Sequence, residues 1–190
     1  MEAKEIQQIY ASHPGVTALM QLREEGSKKR VLLEGLYGSA AAMVLCGLRE
    51  KAPEQTFLVV MNDAEEAGYF YNDLTQLLSE SNVKFFPSSF RRAVKYGQRD
   101  TANEILRTEV MSLLSSYNNS ESLFVVTFPG AIAERIESGE SIKEKTITIA
   151  ETEEHDLTQL AKQLSDLGFK RRDYVYEPGE YAIRGSILDI

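Results

Sequence analysis

Three apolar runs of strand length, with helical spacing between them, constrain this chain more than any other feature. They are Thr56-Phe57-Leu58-Val59-Val60-Met61, Val83-Lys84-Phe85-Phe86 and Leu123 to Phe128. Each is rich in β-branched or aromatic residues. Asp63-Ala64-Glu65-Glu66 after the first run has an acidic cap with a glutamate three residues on, which marks a helix start. That helix is predicted to run to about Ser79, with Phe70, Leu74, Leu77 and Leu78 inward. Pro87 stops the second run, and a polar loop follows from Ser88 to about Gly97. Helical spacing returns at Ile105, Val110, Leu113 and Leu114, and Pro129 opens another short helix. Apolar strands separated by amphipathic helices imply a mostly parallel sheet with helices on both faces.

The segment before the first run extends the same pattern. Ile6, Ile9 and Tyr10 share a helical face, His13-Pro14 interrupts it, and Val16, Leu19, Met20 and Leu22 predict a second helix. Arg30-Val31-Leu32-Leu33 reads as a buried strand, Gly35 to Ser39 as a turn, and Ala40 to Arg49 as a helix. The texture changes at Ser138-Gly139-Glu140. Beyond it Thr146-Ile147-Thr148-Ile149 alternates like a half-exposed strand, and Asp156 caps a helix ending at Gly168. Tyr174-Val175-Tyr176, the turn Glu177-Pro178-Gly179-Glu180 and Tyr181 to Ile190 read as a hairpin. The expected class is therefore α/β. A parallel-sheet, P-loop-like subdomain covers residues 1–140, and a smaller α+β subdomain begins over 141–190. Ser186 to Ile190 looks like a strand in progress, so the chain is expected to be a piece of something longer.

A chain of 190 residues can bury a core without metals or disulfides. Lys and Arg number 21 against 29 Asp and Glu, a net charge of −8, which is not the field of a protein that coats a nucleic-acid backbone. Cys46 is the single cysteine, so an internal disulfide framework is excluded, and with only His13 and His155 no metal centre is expected. No apolar run reaches about 18 residues, and the N-terminus lacks the features of a signal peptide. A reducing, cytoplasmic setting is the expectation.

Three segments are candidates for chemistry. Gly35-Leu36-Tyr37-Gly38-Ser39-Ala40-Ala41-Ala42 stands where a phosphate-binding loop would, between a strand and a helix. On the template of such a loop, Ala40 takes the second glycine's place, Ala41 the lysine's and Ala42 that of the hydroxyl that holds magnesium. Both reactive groups are missing, so hydrolysis is not expected, and a plain strand-to-helix turn with alanine-rich packing is the favoured account of the segment. Phe90, Arg91, Arg92, Lys95, Tyr96 and Arg99 mix cations with aromatics, as single-strand binders do, or they form a solvated loop offsetting nearby acids. Lys170-Arg171-Arg172 and Arg184 can dock a partner's carboxylates or guard an exposed sheet edge. His13 reads as a turn residue, His155 has no nearby second ligand, and Cys46 reads as a buried inert thiol.

Leu32 to Ala40 and, more specifically, Gly168 to Ile190 resemble the N-terminal region of the bacterial transcription-repair coupling factors, Mfd, itself similar to the excision-repair protein UvrB. The resemblance covers essentially the whole chain. It implies that residues 1–140 match a UvrB-like subdomain with a degenerate nucleotide loop at Gly35, Gly38, Ser39, Ala40, Ala41 and Ala42. The short stretch Pro87 to Gly97 stands where UvrB inserts a long DNA-probing hairpin, so damage verification is not expected. Residues 141–190 would begin the subdomain that docks UvrA, truncated here, with Arg184, Gly185 and Tyr181 of Tyr181-Ala182-Ile183-Arg184-Gly185 at its surface. The implied function is a non-catalytic adaptor without cofactor that recruits UvrA to stalled RNA polymerase. RNA polymerase and DNA would be reached only through downstream domains, and no membrane is involved. The parent protein would be an ATP-dependent DNA translocase. The alternatives are a fragment of an ATP-driven DNA repair enzyme, which Ala41 argues against, or a structural α/β domain without its own activity.

Overall fold

The computed structural model describes residues 3–24, 30–90, 100–118, 121–136, 138–150 and 153–190. Helices α1 (Ala3–Ser12), α2 (Pro14–Glu24) and α3 (Ala40–Lys51) open the chain. Strand β1 (Thr56–Val60), α4 (Ala64–Leu77), β2 (Val83–Phe85), α5 (Thr101–Ser116) and β3 (Leu123–Thr127) follow in alternation. Then come α6 (Pro129–Ile132), α7 (Gly139–Glu144), α8 (Leu157–Asp166), β4 (Lys170–Arg171), β5 (Glu180–Arg184) and β6 (Ile187–Asp189).

The expected parallel sheet is present with strand order β1-β3-β2. Every residue of the central β3 is buried, which is why its sequence is a continuous apolar run rather than an alternation. Phe57 pairs with Phe124 in register, and their rings stack with centroids 4.6 Å apart. Leu74 of α4, Val83 of β2 and Val110 of α5 complete the centre of the core. Burying one such side chain contributes roughly 1.5–3 kcal/mol. Asp63 caps α4 as its sequence predicts, accepting from the backbone N–H groups of Glu65 and Glu66 at 2.9 and 3.0 Å. Asp156 does the same for α8 through Thr158 and Gln159, and Asp100 for α5. Helix α1 crosses α3 at Gly47, where a Cβ would stand 3.0 Å from the Tyr10 carbonyl carbon. A glycine there is what lets the two backbones approach.

Four expectations are corrected. Val31 to Leu33 is exposed, with Leu32 81% accessible, and it joins no ladder. The central β3 already has β1 and β2 on its two edges, and residues 30–33 pair with neither outer edge. Thr146 to Ile149 also forms no strand; Ile147 and Ile149 instead turn toward Leu160, Leu164, Phe169 and Ile190 around an apolar cleft of about 200 Å³. On α5, Ile105 and Leu114 are exposed, and Arg107 takes an inward place beside Val110. The hairpin turns elsewhere than at Glu177–Glu180. Strands β5 and β6 are antiparallel, with Arg184 opposite Ile187 across Gly185-Ser186, while β4 runs parallel to β5. Gly185 has φ +62°, the left-handed conformation a two-residue hairpin turn needs at such a position.

Candidate functional site

Gly35 to Ala42 forms a loop entering the N-terminus of α3. Gly35 and Gly38 have φ of +78° and +55°, which only glycine adopts without strain. The Ala40 N–H donates to the Tyr37 carbonyl at 3.1 Å and closes the turn. Ser39 stands at the N-cap, yet its hydroxyl does not cap; it donates to Asp73 of α4 at 2.7 Å. Ala41 is half-buried and Ala42 fully buried against the core. No side chain in this stretch carries a positive charge, and the one hydroxyl near the helix start is bonded to a carboxylate. The segment can turn the chain and pack a helix.

The sheet β4-β5-β6 and α8 make the second candidate face. Tyr181 is 3% exposed, and its hydroxyl shares a 2.8 Å hydrogen bond with Ser165 of α8. Its ring therefore belongs to the packing of this unit, not to its surface. Arg184 lies just before the Gly185 turn with its side chain 47% exposed. Its guanidinium pairs with Asp189 on β6 and lies over the Tyr174 ring, 4.9 Å from the centroid. The pair is diagonal, since Asp189 stands opposite Ala182 on the face that Ala182 and Arg184 share. A Cβ added to Gly185 would touch nothing within 4 Å, so this glycine serves the turn rather than a close contact. Lys170 and Arg171 are exposed on β4. Arg172 is held by Glu180 at 2.8 Å, and that bond keeps the Glu180 carboxyl below its ordinary range and the guanidinium above its own.

A buried charge network, not signalled by the sequence, joins Phe86–Ser89 to α5 and to the residues of and after α6. Arg107 is 7% exposed and donates to the carbonyls of Pro87 and Ala131 at 2.7 and 3.0 Å. Its guanidinium sits 4.2 Å over the Phe86 ring and 3.5 Å from Glu134. Glu134 accepts from the Ser88 hydroxyl, the Ser89 hydroxyl and the Ser89 N–H at 2.5, 2.6 and 3.0 Å. Burial pushes this carboxyl up, but the serine hydrogen bonds and Arg107 outweigh burial and hold it below its ordinary value. Ser89 O accepts from Asp100 N at 2.7 Å, so the network also holds together the two ends of segment 90–99. Phe90 is exposed there, and Arg91, Arg92, Lys95, Tyr96 and Arg99 lie outside the described residues.

The isolated groups have local roles. His13 Nδ1 accepts from the Gly15 N–H at 3.1 Å, a turn contact. His155 stands 3.6 Å from Glu153. Burial raises the Cys46 thiol to about 11, as suits a thiol in apolar surroundings. Among the described residues no three His, Cys, Asp or Glu side chains converge on a metal position, and no helix is long and apolar enough to cross a membrane.

Comparison with known proteins bears out the resemblance seen in the sequence. Residues 147–190 match the family model of the UvrB interaction domain. The chain is 31% identical over 166 residues to the transcription-repair-coupling factor of Bacillus subtilis, covering 87% of this chain and 14% of the relative. It is 25% identical over 162 residues to that of Staphylococcus haemolyticus, 85% of this chain and 14% of the relative. The Staphylococcus epidermidis factor is 23% identical over 170 residues, 90% and 14%. The chain thus spans about one seventh of the length of these relatives.

Proposed function

Taking the chain as a relative of the transcription-repair-coupling factors over most of its length, we propose that it is a non-catalytic, UvrB-like adaptor whose residues 147–190 dock UvrA. The observation that carries this reading is a coincidence of place. The stretch matching the UvrB interaction domain is also the stretch in which β5 presents a half-exposed arginine, Arg184, beside an exposed turn. An arginine fork matches the two oxygens of a carboxylate, which makes it a suitable anchor for a partner surface.

Residues 35–42 are, on this reading, a degenerate nucleotide loop: the turn and helix remain, while Ala41 and Ala42 stand where a lysine and a magnesium-binding hydroxyl would act. The fragment turns over no ATP. In the bacterial cytoplasm the parent protein, an ATP-driven DNA translocase, would bring UvrA to a stalled RNA polymerase. Contacts with the polymerase and with DNA would be made by parts beyond these 190 residues. The division near residue 140 follows the same reading. It assigns β1-β3-β2 to the nucleotide-loop unit and β4-β5-β6 to the docking unit.

The test is UvrA binding by the full-length protein with Arg184→Ala and Arg184→Lys. Truncating one side of a buried interface charge pair costs about 2–5 kcal/mol. Alanine should therefore weaken binding at least tenfold at unchanged melting temperature, and lysine should recover only part because it cannot fork. Wild-type affinity in Arg184→Ala would reduce the residue to a guard of the sheet edge.

A further inference from the structure

Arg184 is not an isolated cation. Tyr174 and Tyr176 stand beside it on the connection between β4 and β5, 54% and 83% exposed. Their ring centroids are 6.4 Å apart at an interplanar angle of 50°, and the Arg184 guanidinium covers Tyr174. Two aromatic rings and a guanidinium thus form one continuous exposed row. The sequence suggested a strand at Tyr174–Tyr176; the structure has none, so strand pairing does not account for this placement.

We propose that Tyr174, Tyr176 and Arg184 together form the docking surface of this unit, and that it takes a protein partner offering a carboxylate flanked by apolar or aromatic side chains. The inference rests on the reading that residues 147–190 dock UvrA, and it names what that partner must present. Tyrosine and arginine are both enriched among interface anchors: tyrosine buries a large surface at a small cost in rotamer freedom, and the planar arginine fork loses little freedom per hydrogen bond. The backbone beneath the aromatics is already fixed. Glu180 accepts from the Tyr176 and Glu177 N–H groups at 3.2 and 3.4 Å with one oxygen and from Arg172 Nε at 2.8 Å with the other. A surface held in this way loses little freedom on docking.

The charges around the row select the class of partner. Asp189 engages the Arg184 Nη2, a contact of the kind an incoming carboxylate would make or replace. On this short segment Asp173, Glu177, Glu180 and Asp189 balance Lys170, Arg171, Arg172 and Arg184, so it carries no excess of positive charge. A polyanionic phosphate backbone would set many charges against a chain of net charge −8, whereas a single carboxylate needs only the Arg184 fork. Stacking on nucleic-acid bases, the other use of exposed tyrosines beside an arginine, is disfavoured for that reason.

The experiment uses the full-length protein, UvrA and a fluorescent single-stranded oligonucleotide. Tyr176→Ala should weaken UvrA binding at least tenfold, the size expected of an interface anchor. Tyr174→Ala should weaken it comparably, and Tyr176→Phe should bind nearly as wild type because the ring makes the contact. Melting temperatures should stay unchanged, since both rings are exposed and Glu180 bonds only to the backbone of Tyr176. Wild-type binding by Tyr176→Ala and Tyr174→Ala, with Arg184→Ala weakened, would overturn the aromatic surface and leave the docking reading standing. Wild-type binding by all three would overturn both. Submicromolar oligonucleotide binding at physiological salt, lost in Tyr176→Ala, would assign the row to nucleic acid and overturn the proposal.

Discussion

Replacing Arg107 by methionine removes the guanidinium while keeping most of the side chain's length and apolar bulk. In the folded protein the change strips a charged donor from the carbonyls of Pro87 and Ala131 and the cation from above Phe86. It also leaves Glu134, whose side chain is 14% exposed, without the positive group 3.5 Å away. Hydrogen bonds to a charged group contribute about 1.5–3 kcal/mol each, so the two carbonyls account for roughly 3–6 kcal/mol gross. Against this stands the relieved cost of keeping a guanidinium out of water, several kcal/mol in a buried pair, and the packing of the methionine on Phe86. Ser88 and Ser89 still solvate Glu134. The net expected loss is about 2–4 kcal/mol, near the 3–5 kcal/mol typical of breaking a buried ion pair from one side. Urea denaturation followed by circular dichroism should show the midpoint falling at unchanged slope. Arg107→Lys should recover only part of the loss: the one Nη1 serves both carbonyls, and the shorter lysine brings no planar guanidinium to lie over Phe86. A loss below about 1 kcal/mol for Arg107→Met would mean that the network is not what ties the Pro87 loop to α5 and α6.

Three further outcomes are expected. The folded-state Glu134 carboxyl lies below its ordinary value of 4.5, so the stability it contributes is complete above about pH 4.5 and is lost as the pH falls through the folded value; Glu134→Gln should flatten that acid limb in denaturation curves, and an unchanged limb would count against the network. Cys46, buried with its thiol raised to about 11, should resist a thiol reagent at pH 8 until denaturant is added, and rapid stoichiometric labelling of the native protein would show that α3 faces the wrong way. Calorimetry with millimolar ATP and magnesium should register no binding to residues 1–190, whereas a micromolar dissociation constant would restore the nucleotide loop.

The parts of the fold visible in the sequence are those set by neighbours along the chain. The apolar runs became β1, β2 and β3, and Asp63 and Asp156 cap helices because each cap needs only N–H groups two and three residues away. Ladder membership is not local. Val31–Leu33 and Thr146–Ile149 have strand composition, but no partner edge receives them. Glu177-Pro178-Gly179-Glu180 carries turn residues, yet the pairing of β5 with β6 is decided by Gly185. Arg107 was invisible because its carbonyl partners are 20 and 24 residues distant, and nothing in α5 distinguishes it from a solvated arginine. On the β4-β5-β6 face the family resemblance pointed to Arg184, Gly185 and Tyr181. The structure places the first on the surface, the second in the turn and the third inside, beside Ser165. The exposure of Tyr174 and Tyr176 depended on the connection staying out of the sheet, which composition alone does not indicate.

The claim that this unit docks UvrA through a carboxylate on Arg184 is tested most directly by a double-mutant cycle. Arg184→Ala in the full-length protein would be crossed with alanine substitutions of the surface carboxylates of UvrA, and the dissociation constants measured for each pair. Close interfacial charge pairs couple by about 1.5–7 kcal/mol. One UvrA carboxylate should therefore couple to Arg184 by at least about 1.5 kcal/mol while distant carboxylates add independently. Additivity at every carboxylate would contradict the account.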